Sequence, residues 1–159
     1  DFLGVDGLGG GKFKNEQELS KAIKSAWPEN LKGEYVVLTG GEPALQVDSK
    51  LIKALHSINF EIAIETNGTL PLPPDIDWVT VSPKANTELK IILGDELKLV
   101  FPQEKNNPNL FSDLNFKNFY LQPLDNNKKE LNTQKAVQYC LENPIWSLSL
   151  QTHKFLGIP

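Results

Sequence analysis

The chain of 159 residues is 40% hydrophobic and 23% charged, and its net charge at pH 7 is −4. This composition is typical of one globular domain with a continuous core and argues against a disordered chain or a fibrous repeat. The acidic balance, without a cluster of Lys and Arg, disfavours a nucleic-acid partner, and no apolar run approaches the roughly 20 residues that span a bilayer. We therefore expect a cytoplasmic protein that binds neither nucleic acid nor membrane.

The first predicted element is a helix that begins after Asn15, because Asn15 and Glu18 have the spacing of a capping box. Pro28 ends this helix, whose apolar stripe consists of Leu19, Ala22, Ile23 and Ala26. A β-rich run over Tyr35–Thr39 leads through two glycines to Asp48, which is predicted to cap a second helix. The inner face of that helix consists of Leu51, Ile52, Leu55 and Ile58.

The rest of the chain continues this alternation of strands and helices. Further strands are predicted at Phe60–Thr66, Trp78–Ser82, Glu96–Val100, Phe119–Gln122 and Trp146–Gln151, with a helix at Thr133–Glu142 before the last. Such alternation favours an α/β fold with parallel strands and crossover helices. Ligands of these folds bind at the carboxyl ends of the strands, and polar or turn-forming residues follow every predicted strand. A site on one rim of a barrel or half-barrel is therefore expected.

Some strand ends carry residues that suit a ligand site. The segment 39–43, Thr-Gly-Gly-Glu-Pro, is either a ligand-binding loop or only a tight turn, and the pattern alone favours neither. Glu65 lies in an otherwise apolar strand, where its carboxylate either faces the barrel interior or lies at the rim, and we expect it to have a partner because a buried unpaired carboxylate is costly. Lys84 and Lys98 are either site residues or ordinary surface lysines. His153, taken alone, is more often a structural imidazole than a catalytic base.

Two other features are interpreted as carrying no chemistry. The glycine-rich segment 7–12 departs from both the phosphate-loop and the dinucleotide-binding patterns, so we expect a flexible loop. The single cysteine, Cys140, excludes a disulfide framework and a multi-cysteine metal site made by this chain alone. It lies three residues after Val137 on the apolar face of a predicted helix, which indicates a small buried hydrophobe.

The ordered set of strand-end segments resembles one enzyme family, the 7-carboxy-7-deazaguanine synthases of the radical S-adenosylmethionine superfamily. The Gly-Gly-Glu-Pro step is shared by the superfamily, whereas the Ser-Pro-Lys and Gln-Thr-His-Lys segments in this order resemble the narrower family. The segments that carry the resemblance are Thr39–Pro43, Glu65–Thr69, Val81–Lys84, Asp95–Val100, Leu121–Pro123 and Leu150–Lys154. The resemblance implies a partial TIM-like (β/α) barrel of the radical S-adenosylmethionine type, with a parallel sheet and outer helices.

In this family a [4Fe-4S] cluster reduces S-adenosylmethionine, and the deoxyadenosyl radical takes a hydrogen from C6 of 6-carboxy-5,6,7,8-tetrahydropterin. Ring contraction and loss of ammonia give 7-carboxy-7-deazaguanine, an early step towards queuosine. The resemblance thus implies a carbon–nitrogen lyase that uses S-adenosylmethionine, the cluster and Mg²⁺. It also implies a homodimer and a flavodoxin-like or ferredoxin-like electron donor.

The family's site residues map onto strand ends of this sequence. The expected cofactor contacts are Gly41, Ser82, Pro83, Lys84, Gln122, Pro123, Leu124 and Asp125. The expected substrate contacts are Thr39, His153 and, through its terminal carboxylate, Pro159, because the ending Gly-Ile-Pro is similar to that of the family.

The start of the chain resembles the segment that directly follows the family's Cys-Asp-Thr motif. We therefore expect residues 1–159 to be a single radical S-adenosylmethionine core domain whose first strand, cluster-binding loop and magnesium-binding threonine precede Asp1. No metal ligand is expected within the chain, and the chain alone is expected to be inactive. Two alternatives remain open: a radical enzyme acting on another small heterocycle, and a non-catalytic module that binds S-adenosylmethionine if the full protein lacks the cysteines.

Overall fold

The computed structural model describes Val5 and residues 10–158. The helices are α1 (Glu16–Ala26), α2 (Ser49–His56), α3 (Lys129–Glu142) and α4 (Thr152–Leu156). The strands are β1 (Tyr35–Leu38), β2 (Glu61–Thr66), β3 (Trp78–Val81), β4 (Leu93–Phe101), β5 (Asn115–Pro123) and β6 (Trp146–Leu148). Short 3₁₀ turns occupy Pro43–Leu45 and Pro108–Leu110. The chain forms two compact units, one of residues 1–65 with 71–78 and the other of residues 66–70 with 79–159.

The first unit contains α1, β1, α2 and most of β2. The Asn15 side chain accepts a hydrogen bond of 2.9 Å from the Glu18 backbone N–H, and Asp48 caps α2 in the same way through two N–H groups. These caps satisfy amide groups that have no partner within the helix. β1 and β2 are parallel, with Tyr35 opposite Glu61. The core beneath them consists of Ile52, Leu55, Phe60 and Ile62.

The second unit is built on β3, β4, β5 and β6, which pair in chain order and are all parallel. Leu97, Leu99 and Leu121 are fully buried and pack on the α3 side chain of Ala136. The remaining core residues are Val81, Phe116, Phe119 and Trp146. Because parallel pairing and crossover helices recur in both units, the predicted α/β class is confirmed. Every helix of the described part of the chain is too short or too polar to cross a bilayer.

Several element boundaries differ from the sequence-based expectation. Thr39 and Ser82 follow their strands rather than ending them, and β6 stops at Leu148. β4 and β5 are longer than predicted and begin at Leu93 and Asn115, where backbone pairing continues through residues of low β propensity such as Gly94 and Asn115. α3 begins at Lys129 rather than Thr133, and α2 ends before Ile58. α4 was missed because its five residues are too few to show helical periodicity.

Candidate functional site

In the first unit, Thr39 and Glu65 meet at the carboxyl ends of two neighbouring strands. The Thr39 hydroxyl donates a hydrogen bond of 3.2 Å to Oε2 of Glu65. The contact follows from the strand register, in which Leu38 lies opposite Ile64, so the next residues of both strands are neighbours. The expectation that Glu65 has a partner is confirmed. Its side chain is exposed rather than buried, so desolvation is not what requires the pair.

The glycines that follow Thr39 form a left-handed turn. Gly40 and Gly41 have φ values of 79° and 55°, which residues with a Cβ adopt only at a cost in conformational energy. Oε1 of Glu42 accepts a hydrogen bond of 3.0 Å from the Ala44 N–H and so caps the 3₁₀ turn. The segment is therefore a tight turn, whether or not it also binds a ligand. Gly41, a predicted cofactor contact, is exposed at its tip.

A pocket of about 370 Å³ opens beside Thr39 within the first unit. Its apolar wall includes Leu38 and Leu51, and Asn15 and Asp48 contribute polar groups. This volume lies in the range of small-molecule sites, which combine apolar walls with a few polar groups. The exposed hydroxyl of Thr39 is thus placed where a small ligand could reach it. The substrate role of Thr39 stays a prediction.

In the second unit, the segment 82–84 continues directly from β3. The Ser82 N–H donates to the Thr66 carbonyl at 2.8 Å, and the buried Pro83 accepts a hydrogen bond of 2.9 Å from Nδ2 of Asn106. Nζ of Lys84 lies 3.4 Å from the Ser82 hydroxyl. Lys84 is exposed, so its ammonium group is available at the end of the strand.

The segment 122–125 ends β5. Gln122 and Pro123 are its last residues, and the N–H of Leu124 donates to the Phe101 carbonyl at 2.8 Å. Asn132 of α3 donates its side-chain amide to the Leu124 carbonyl at 2.8 Å. These bonds fix the chain as it leaves the sheet.

Asp125 forms an ion pair with Lys154 of α4. The hydrogen bond from the Lys154 ammonium group lowers the pKa of Asp125 from its usual value of 3.8, and the charge of Lys129, at 4.0 Å, lowers this pKa further. The segment is therefore tied to the helix that contains His153. A small cleft brings Gln122, Pro123 and Asp125 beside Gln151.

Parallel pairing places the ends of β3, β4 and β5 at one edge of the second unit's sheet. On the less buried face of this sheet, Lys98 lies opposite Tyr120, and Val100 lies opposite Gln122. A partly polar surface therefore extends along this face of the sheet to the predicted cofactor contacts Ser82, Lys84 and Gln122. Lys98 lies on this half-exposed face of β4, which leaves both of its interpretations, site residue and surface lysine, open.

The structure describes some of the remaining predicted residues and not others. His153 is exposed on α4, and Pro159 lies outside the described residues. Residues 7–9 of the segment 7–12 also lie outside them, whereas residues 10–12 are described. Cys140 packs against the core of the second unit but is half-buried rather than fully buried, and Val137, predicted on the same apolar face, is exposed. Burial raises the pKa of the Cys140 thiol. Among the described residues, no three His, Cys, Asp or Glu side chains are grouped to hold a metal ion.

Two buried asparagines, Asn106 and Asn132, were missed. Asn106 lies 23 residues from Pro83, and Asn132 lies eight residues from Leu124. A lone asparagine in a loop or a helix has no pattern that marks it as a partner of a distant carbonyl. Only the folded structure reveals these contacts.

The known proteins to which this chain is readily compared carry the same name. The chain is 54% identical over its full length to the 7-carboxy-7-deazaguanine synthase of Bordetella pertussis and 52% identical to that of Caulobacter vibrioides, and it spans 76% of each. Its fold matches the crystal structure of QueE from Escherichia coli with a TM-score of 0.67 and 25% identity. That match covers 86% of this chain and 63% of the solved chain. No protein-family model matches the chain.

Proposed function

Because the chain belongs to the 7-carboxy-7-deazaguanine synthase family, whose members are lyases, we propose that it forms the cofactor-binding and substrate-binding part of such an enzyme. The reaction converts 6-carboxy-5,6,7,8-tetrahydropterin to 7-carboxy-7-deazaguanine with loss of ammonia, in the biosynthesis of queuosine and related deazapurines. The observation that carries the proposal is 54% identity over all 159 residues, which includes every strand-end segment. The geometry of the second unit supports it.

The second unit has groups that fit S-adenosylmethionine. Lys84 offers an exposed ammonium group suited to the carboxylate of the methionine moiety, and Ser82 and Gln122 offer hydrogen-bonding groups at the same edge of the sheet. Pro83 and Pro123 are buried beside them and give the edge a fixed backbone. When bound with a reduced cluster, this cofactor supplies the hydrogen-abstracting chemistry, and the protein orients the substrate and excludes water.

The described residues do not fit an iron–sulfur cluster, because they contain one cysteine and no grouped set of metal ligands. The proposal therefore assigns the [4Fe-4S] cluster and Mg²⁺ to residues outside this chain. It assigns the substrate to Thr39, His153 and Pro159. A cytoplasmic homodimer that takes electrons from a flavodoxin-like or ferredoxin-like donor completes the proposal.

The test uses the full-length protein, reconstituted without oxygen. We expect about four irons per chain and conversion of the carboxytetrahydropterin to 7-carboxy-7-deazaguanine. In addition, Lys84→Ala should weaken S-adenosylmethionine binding in equilibrium dialysis. Lys90→Ala is the matched control, because Lys90 is also an exposed lysine of the second unit but pairs with Glu88. Absence of iron and of turnover in the full-length protein would refute the proposed function.

A further inference from the structure

Two asparagine side chains of the second unit are almost completely buried. Asn106 is 2% exposed and Asn132 is 5% exposed. Asparagine is mostly a surface residue, because an amide buried without hydrogen-bond partners is costly. A buried asparagine therefore marks a place where the fold needs its hydrogen bonds.

Both asparagines donate to backbone carbonyls of the predicted cofactor segments. Nδ2 of Asn106 lies 2.9 Å from the Pro83 carbonyl, in the middle of the segment 82–84. Nδ2 of Asn132 lies 2.8 Å from the Leu124 carbonyl and 3.0 Å from Oδ1 of Asn126, within and just after the segment 122–125. Each bond therefore comes from a different loop or helix and holds the backbone where it leaves the sheet.

The position of these carbonyls determines where the neighbouring side chains point. Ser82 and Lys84 flank Pro83, and Gln122 and Asp125 lie within two residues of Leu124. A rotation of either peptide unit would redirect the groups on both sides of it. Pro83 lies beyond the end of β3 and Leu124 lies beyond the end of β5, so the asparagine bonds hold these two carbonyls in place of the hydrogen bonds of the sheet.

We propose that Asn106 and Asn132 are positioning residues for S-adenosylmethionine, which hold the segments 82–84 and 122–125 in their binding conformation through the Pro83 and Leu124 carbonyls. The inference rests on the proposed function, because it takes those segments to be the cofactor contacts. Neither asparagine is required to touch the cofactor. Their effect on binding comes from fixing the backbone before the ligand arrives.

Asn118 provides a matched control within the same unit. Its Nδ2 donates to a backbone carbonyl, that of Asp95, at 3.0 Å. Asn118 lies opposite Glu96, and each of the two residues lies five positions before its strand ends. Loss of this bond removes the same kind of interaction without touching a cofactor segment.

The experiment compares Asn106→Ala, Asn132→Ala and Asn118→Ala in the full-length, anaerobically reconstituted protein. The dissociation constant of S-adenosylmethionine, measured by equilibrium dialysis, should rise about ten-fold in the first two variants, equivalent to about 1.4 kcal/mol. It should stay within about two-fold of wild type in Asn118→Ala, as expected for a distant site. Without cofactor, hydrogen exchange should accelerate at residues 84–87 in Asn106→Ala and at residues 124–128 in Asn132→Ala.

The outcomes separate the two proposals. If the wild-type protein does not bind S-adenosylmethionine, the proposed function itself is wrong. If the wild type binds and all three variants bind equally well, only the positioning roles are overturned, and Asn106 and Asn132 are then structural. Should an alanine variant fail to fold, a serine replaces it, because its short side chain fills part of the space without the amide that holds the carbonyl. The same ten-fold criterion then applies.

Discussion

Gly68 is the glycine whose replacement should affect stability most clearly, because conformation and packing both oppose a side chain there. Its φ is +77°, and an added Cβ would lie 2.7 Å from Cδ2 of Leu89 and 2.7 Å from Cγ1 of Val81. Val81 is fully buried and β-branched, so it has little freedom to move. The left-handed backbone costs a non-glycine residue about 1–2 kcal/mol. Overpacking adds about 1–3 kcal/mol, so Gly68→Ala should lower the free energy of unfolding by about 2–5 kcal/mol.

The matched control is Gly33→Ala. Gly33 has a φ of +83°, but no atom lies within 4 Å of its added Cβ, so only the backbone cost of about 1–2 kcal/mol remains. Urea denaturation of the full-length wild type and both variants measures the two losses, provided that the slopes agree. Equal losses in the two variants would refute the reasoning, because they would show that the contacts with Val81 and Leu89 relax without cost.

Three further predictions concern stability. Leu121→Ala should cost about 2–5 kcal/mol because Leu121 is fully buried, whereas Leu141→Ala, at a site 73% exposed, should stay within about 0.5 kcal/mol in urea denaturation. Burial alone would raise the pKa of Asp77, but hydrogen bonds from His56 and the backbone lower it below 3.8. The ionised Asp77 therefore stabilises the fold fully above pH 3.8, and this contribution is lost as the pH falls through the lowered pKa. As the pH is lowered, the free energy of unfolding should therefore fall more in the wild type than in Asp77→Asn. Parallel curves of unfolding free energy against pH would contradict this. Asp95→Ala should cost about 1–3 kcal/mol in thermal unfolding, since a β3 backbone N–H loses its acceptor, and Asp95→Asn should cost less because it keeps an acceptor.

Local signals in the sequence predicted most of the elements, whereas contacts between distant residues decided their ends. The caps at Asn15 and Asp48 are local, and the structure confirms both. The start of β4 was missed because Gly94 and Asp95 do not favour a strand. In the fold, the Asp95 carboxylate accepts a hydrogen bond from the Val79 N–H at 2.8 Å, so a tertiary contact supports a region of low β propensity.

The same division applies to the candidate site. The strand-end segments were predictable because polar residues follow apolar runs, and the family resemblance assigned them roles. Thr39 and Glu65 were both noted, but their hydrogen bond depends on strand register, which a pattern of single runs does not specify. Asn106 and Asn132 were missed because their function depends on which backbone carbonyl lies beside them after folding.

Asp125 shows how the geometry refines a role assigned by resemblance. Its carboxylate is held by Lys154, so forming a strong hydrogen bond to a ligand would require competition with an ion pair. The prediction that Asp125 contacts the cofactor is therefore better met by its backbone than by its carboxylate. Because α4 also contains His153, one ion pair connects a predicted cofactor segment to a predicted substrate residue.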